Sequence, residues 1–320
     1  MILRGTSPDR PGPGPLPPEA LRALDLVVGR RLRGLLTGDY RSSDHGDGVE
    51  LAQLRPYVPG DDVRTLEWNV TARTGVPHVR VNLAERALVT WLLLDTSPSM
   101  QFGTADRRKA DVAAGVAIAV AHVATRRGNR LGVATFGDDD PRWLPPHQGR
   151  VGLVGLLAAL EREPQAEGGG ATSLGAGIAR VAALARQRSV VVLVSDFRGP
   201  LDWRRPLLHL LGRHQVLAVE VRDPREQELP DVGELWLTDP ETGRQVRVDT
   251  RSRRLRDRFA TAAAEERTGV ARVLSALAVP HAVLSTDGDW LRPLAGFLAA
   301  SGRAAGARTA VVEIPGAPRR

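Results

Sequence analysis

Cysteine is absent from the 320 residues, and lysine occurs once, at Lys109. Without cysteine there is neither a disulfide framework nor a thiolate metal site. Aromatic residues make up 4% of the chain, which leaves few platforms for stacking nucleic-acid bases. No apolar run approaches the roughly 20 residues needed to cross a bilayer. The Pro- and Gly-rich start, Met1 to Pro18, lacks the apolar centre of a secretory signal. A cytoplasmic protein without a membrane span is the expectation.

Arginine, by contrast, is plentiful. Lys and Arg number 44 against 37 acids, giving a net charge of +7 and a pI near 10.9. The arginines alternate with acids instead of forming one block, so the excess reads as the usage of a GC-rich genome and no nucleic-acid partner is expected. The densest basic stretch, Arg251 to Arg258, reads as a solvated helix start.

Two apolar runs organise the chain. Ala87 to Leu94 is apolar apart from Thr90 and stops at Asp95, followed by Ser97, Pro98 and Ser99. A run of this length without alternation predicts a parallel strand covered on both faces. Ser189 to Ser195 repeats the design and stops at Asp196. Adjacent strands would bring both acids to the carboxyl rim of the sheet, where ligands of α/β folds collect. Between them, Gly168-Gly169-Gly170 delivers Thr172 just before a helical pattern. Asp95, Ser97, Ser99, Thr172 and Asp196 form an all-oxygen set, which suits Mg²⁺, or Mn²⁺ as a substitute, over zinc or copper.

This set, in this order and spacing, resembles the metal-ion-dependent adhesion site of von Willebrand factor A domains. Upstream, Arg55-Pro56-Tyr57-Val58-Pro59-Gly60-Asp61-Asp62-Val63-Arg64-Thr65-Leu66-Glu67-Trp68-Asn69, followed by Ala72-Arg73, resembles the signature of the DUF58 family, which is bacterial and archaeal and often linked to MoxR-type AAA+ ATPases. The resemblance runs from about Gly38 to about Leu298. Asp223-Pro224-Arg225-Glu226 and Leu229-Pro230 are similar to further patterns of that family, without a mechanism readable from sequence.

In order, residues 1–18 are expected to be a flexible leader and 19–86 a helix plus the signature segment. Residues 87–302 are expected to form the von Willebrand factor A-like domain, and 303–320 a loose tail in which Ala310 to Ile314 offers an edge strand. Leu21, Leu24, Val28, Leu32 and Leu35 predict an amphipathic helix ending near Gly38. Gly and Pro punctuate 38–86, predicting extended pieces joined by turns, with Trp68 in the core. Arg55, Asp61, Asp62, Arg64, Arg73 and Glu85 read as a charge-paired network pinning this segment to the main domain, beside Arg86. His78 to Leu83 predicts a strand able to pair with the one starting at Ala87. Helices are predicted at 105–127, 149–161, 174–187, 201–211, 253–277 and 290–300. Further strands are predicted at 130–136, 214–221 and 281–285, and hairpins at 142–144 and at 234–238 against 245–248. This alternation gives a doubly wound, mainly parallel sheet with helices on both faces. His209, His214 and His281 read as structural.

The candidate ligands carry only two formal negative charges beside three hydroxyls. A bound metal would stay electron-poor, with a position open to an incoming carboxylate. The resemblance implies that a partner's Asp or Glu fills it, and that the partner is a MoxR-type ATPase or its client. The expected function is therefore a non-enzymatic, Mg²⁺-dependent adaptor. A metal-free scaffold is the second reading. The third is a Mg²⁺-dependent phosphohydrolase with Asp95 as nucleophile, against which stand Ser97, where such a site places a second acid, and the lack of a Gly-x-x-x-x-Gly-Lys phosphate loop.

Overall fold

The computed structural model describes residues 2–3, 12–14, 45–83, 88–125, 129–137, 140–149, 173–239 and 243–309. In chain order the elements begin with β1 (Ile2–Leu3), β2 (His45–Pro56), α1 (Trp68–Thr74), β3 (His78–Leu83), β4 (Val89–Asp95) and α2 (Lys109–Ala124). They continue with β5 (Arg130–Phe136), β6 (Trp143–Gln148), α3 (Leu174–Leu184), β7 (Val190–Ser195), α4 (Arg204–Leu211) and β8 (Gln215–Arg222). The last are β9 (Glu234–Thr238), β10 (Gln245–Asp249), α5 (Arg253–Ala276), β11 (His281–Ser285) and α6 (Leu291–Thr309).

The main sheet has six strands in the order β11-β8-β7-β4-β5-β6. Its first five strands run parallel and β6 closes the edge antiparallel to β5. The chain leaves β4 through α2 to β5 on one side, then returns to place β7 on the other side of β4. β4 and β7 thus flank the point where the winding reverses, which is where a doubly wound sheet opens a crevice at its carboxyl end. Leu93 lies beside Leu193 in register, so Asp95 at the end of β4 and Asp196 just past the end of β7 stand at neighbouring strand ends.

Alternation along the buried strands sorts side chains into two cores. Leu92 and Leu94 of β4 face α2 and α6, packing with Val112, Val116, Val120, Leu294 and Leu298. Trp91 and Leu93 face the other way, onto Ile178 and Val181 of α3, Leu207 and Leu210 of α4, and Val270 and Leu274 of α5. β4 is buried along its whole length, which explains its unbroken apolar run. Gly132 of β5 lies under the Trp91 ring, where an added Cβ would come within 2.8 Å. Gly132→Ala is therefore expected to cost about 1–3 kcal/mol by overpacking, measured as a lower urea midpoint at unchanged m-value.

Several expectations are corrected. β3 pairs antiparallel with β2, not with β4. α2 starts at Lys109, four residues after the predicted Ala105, with Arg108 as its N-cap. The helix from 201 starts as a 3₁₀ turn, Leu201–Trp203, before α4. α6 runs past Arg303 to Thr309, overriding the expected loose tail over those residues. Within the leader, Ile2–Leu3 pairs with β9, and the Trp290 indole N–H donates to the Pro13 carbonyl at 2.9 Å. The helix ending near Gly38, the helix over 150–161 and the edge strand at 310–314 lie outside the described residues. No helix among the described residues is long and apolar enough to cross a membrane.

Candidate metal centre

Asp95 is the last residue of β4, and the chain turns at once. Thr96 donates its N–H to the Phe136 carbonyl at 2.8 Å and its hydroxyl to the same oxygen at 2.9 Å, holding the exit of β4 against that of β5. Pro98 opens a 3₁₀ turn, Pro98–Gln101, where its fixed φ suits the first position. That turn buries Ser97 and Ser99 beside Asp95. The Ser97 N–H donates to Asp95 Oδ1 at 3.0 Å, and the Ser195 hydroxyl donates to Asp95 Oδ2 at 2.6 Å. Ser97 Oγ and Ser99 Oγ lie 3.0 Å apart, and Ser99 Oγ donates to Asp196 Oδ2 at 2.9 Å. Two strands and one turn thus gather four of the five predicted ligands. Thr172 lies outside the described residues; its neighbour Ser173 caps α3 through the Ala176 N–H at 3.0 Å.

Backbone geometry lets the neighbouring loops pack on the rim. Gly137, just past β5, has φ +94°. A Cβ there would meet Ser97 Cβ at 2.8 Å and Asp95 Oδ1 at 3.0 Å, so only glycine lets this loop lie on the site. Phe197, next to Asp196, is a non-glycine residue at φ +54°, a left-handed conformation that costs an L-residue about 1–2 kcal/mol. Its buried ring, edge-on to Trp203 at 5.7 Å between centroids, holds it there. The bend aims the Arg198 N–H at Asp196 Oδ1, 3.0 Å away.

The residue that sequence reading missed is Lys109. It opens α2, is fully buried, and its ammonium donates to Asp196 Oδ2 at 2.6 Å and to Glu226 Oε1 at 2.6 Å. Glu226 also accepts from the Asp223 N–H at 3.1 Å and lies 3.4 Å from Arg198 Nη1. The Asp-Pro-Arg-Glu motif thereby acquires a mechanism: it is a capped turn that presents Glu226 to the single lysine. Asp223 itself accepts from the Thr104 N–H at 2.7 Å, the Thr104 hydroxyl at 2.5 Å and the Thr286 hydroxyl at 2.7 Å. It ties the loop before α2 to the ends of β8 and β11. One sequence signal pointed here: the lone lysine of an arginine-rich chain.

The two site acids differ in electrostatic character. Burial, then the charge of Asp196, pushes the Asp95 carboxyl up to about 7, against the hydrogen bonds from Ser195 and Ser97. Burial also pushes Asp196 up, but the charge and hydrogen bond of Lys109 outweigh it and hold that carboxyl below its usual range. Lys109 is raised overall: burial opposes its charge, and Asp196 and Glu226 overcome that.

Among the described residues no group of three or more His, Asp or Glu side chains is placed to hold a metal. The oxygen separations are those of ordinary hydrogen bonds and are also compatible with a divalent ion. Oxygens 2.0–2.1 Å from Mg²⁺ on adjacent octahedral positions lie about 2.9 Å apart, close to the separations along Ser97 Oγ, Ser99 Oγ and Asp196 Oδ2.

The signature segment keeps its expected turn and extended pieces but differs from expectation at Trp68. Pro59-Gly60 makes the turn, with Gly60 at φ +109°. Arg55 grips Asp61 through two contacts of 2.7 and 2.6 Å, and Tyr57 N–H donates to the Pro77 carbonyl at 2.8 Å. Asp62 caps the next turn through the Arg64 N–H at 2.9 Å, and Glu67 pairs with Arg80. Both ion pairs join residues of this segment. Arg64, Asn69 and Arg73 are exposed, and Glu85 and Arg86 lie outside the described residues. Trp68, expected in the core, is 69% exposed because it starts α1, a helix with no buried residue. His281 has a partner too, with Nε2 2.8 Å from Glu220 Oε2.

Residues 53–269 match the family model described as protein of unknown function DUF58. An uncharacterized protein of Mycobacterium tuberculosis is 42% identical over 288 residues, covering 89% of this chain and 90% of that protein. An uncharacterized protein of Mycobacterium bovis matches to the same extent. Among solved structures, the conserved hypothetical protein BatB from Bacteroides thetaiotaomicron has a TM-score of 0.44 at 15% identity, over 68% of this chain and 99% of that one. A von Willebrand factor type A protein from Catenulispora acidiphila has a TM-score of 0.38 at 13% identity, over 72% and 43%. The fold assignment rests on the strand order and registers themselves.

Proposed function

The chain belongs to the DUF58 family of proteins of unknown function, and from that premise we propose a non-enzymatic adaptor whose carboxyl-rim site takes Mg²⁺ and through it a partner's carboxylate. The observation that carries this reading is the chain of oxygens Ser97 Oγ, Ser99 Oγ and Asp196 Oδ2, spaced 3.0 and 2.9 Å apart at the reversal of the sheet. A divalent ion there would supply an open coordination position for an Asp or Glu. Ser97 and Ser99 would contribute neutral oxygens, Asp95 and Asp196 the charge, and Thr172 is the fifth candidate. The partner that the family resemblance implies is a MoxR-type AAA+ ATPase or the protein it remodels. Ser97 also stands where a phosphoaspartate hydrolase would need an acid, which favours binding over hydrolysis.

Calorimetric titration with Mg²⁺ and Mn²⁺ tests the reading on the wild type and Asp95→Ala, with and without a MoxR-type ATPase. Saturable binding that weakens at least tenfold in Asp95→Ala and tightens with the ATPase is expected. Absence of binding in the wild type under every condition would refute the metal reading and favour a metal-free scaffold, a reading supported by the ammonium already resting on Asp196 Oδ2.

A further inference from the structure

Lys109 is unusual on three counts. It is the one lysine in a chain that elsewhere uses arginine. It is fully buried, where an unpaired ammonium is strongly disfavoured. It also sits at the first position of α2, the end of a helix whose dipole repels a cation. Only the two carboxylates in contact with it account for its position. An ammonium is a compact point charge on a narrow stem, whereas a guanidinium needs the room of a planar fork.

The contacts place this charge on a specific atom. Asp196 Oδ1 is occupied by the Arg198 N–H, and Oδ2 accepts from Ser99 and Lys109 together. Oδ2 is also the oxygen on the edge with Ser99 Oγ that a metal would share. A divalent ion bound there meets a buried positive charge on the same oxygen, in surroundings where screening by water is weak. Glu226 gives the ammonium a second acceptor, fixed by the Asp223 N–H and near Arg198.

We propose that Lys109 is the resident cation of this site, a positioning residue that holds Asp196 and Glu226 together without metal and lowers the site's affinity for a divalent ion. Metal capture is then an exchange, in which the ammonium gives up Asp196 Oδ2 and keeps Glu226. The inference rests on the metal reading above. It predicts that the protein folds without metal and that affinity is set by how tightly Glu226 retains the ammonium.

Two variants should move affinity in opposite directions. Lys109→Met alone strands two buried carboxylates and risks unfolding, so it is paired with Glu226→Gln, which removes one charge of each sign. The double variant is expected to bind Mg²⁺ at least tenfold more tightly than wild type by calorimetry, with a larger rise in melting temperature on adding Mg²⁺. Glu226→Gln alone confines the ammonium to Asp196 and should bind at least tenfold more weakly. Binding by the double variant with none in the wild type would support the proposal and make the natural protein a metal-free scaffold. Equal affinity in all three proteins would overturn the proposal and leave the adaptor reading intact. Loss of binding in a folded double variant would also overturn it, since Lys109 would then assist the metal. No binding by any of the three would refute both.

Discussion

Asp223→Ala is expected to lower the unfolding free energy by about 3–5 kcal/mol, since each stranded buried donor costs about 1–3 kcal/mol and part of that is recovered by rotation. Asp223 is fully buried and accepts from the N–H groups of Thr104 and Arg225 and from the hydroxyls of Thr104 and Thr286. The hydroxyls can turn to other acceptors; the backbone N–H groups cannot. The loss would extend beyond one contact, because this carboxylate joins the loop entering α2 to the ends of β8 and β11. Loosening Thr104 would free the start of α2 and therefore Lys109. Asp223→Asn should fall between, keeping one acceptor oxygen but turning an NH₂ group toward donors. Urea denaturation in EDTA reads the effect, and a change below about 1 kcal/mol in the alanine variant would show that water or neighbouring groups replace the acceptor.

Asp95→Asn is expected to do the reverse, stabilising the metal-free protein at pH 8 by up to about 4 kcal/mol. A carboxyl raised from its ordinary value of 3.8 to about 7 favours the folded state while protonated. Its contribution is fully present below the unfolded pKa and is lost as pH rises through about 7. Each tenfold change in proton affinity corresponds to about 1.4 kcal/mol, so the penalty at pH 8 is about 4 kcal/mol. Asparagine removes that penalty, which is already net of the hydrogen bonds from Ser195 and Ser97. The wild type in EDTA should therefore lose stability between pH 5 and pH 8 relative to Asp95→Asn, and the two curves should converge near pH 4. A variant less stable than wild type at pH 8 would mean that the Ser195 bond outweighs the burial of the charge. If the site takes Mg²⁺ as proposed, the same change should abolish that binding and set stability against metal capture at this one residue.

The exposed signature segment shows the limits of local pattern. Its turn chemistry was readable, because Pro59-Gly60 and the acids after it act through their own backbone. Its packing was not. Trp68 reads as core by residue type, but α1 buries nothing, and β3 found β2 instead of β4. Strand partnership depends on which edge is free, and nothing in a strand's own sequence states that.

Sequence by itself determined the α/β class, the central strands β4 and β7, and their terminal acids, because burial on both faces of a parallel strand leaves an apolar run that stops where the sheet does. It also marked the limits of β5, β9 and β11, bounded by turns and polar residues. Only tertiary structure decided that Lys109 meets Asp196 and Glu226, the latter 117 residues away, and that Asp223 gathers Thr104 from 119 residues away. No periodicity records such contacts. They follow from strand order, which sets the ends of β4, β7 and β8 side by side, and from burial, which obliges each charge in that crevice to find an opposite charge or hydrogen-bond donors within the protein.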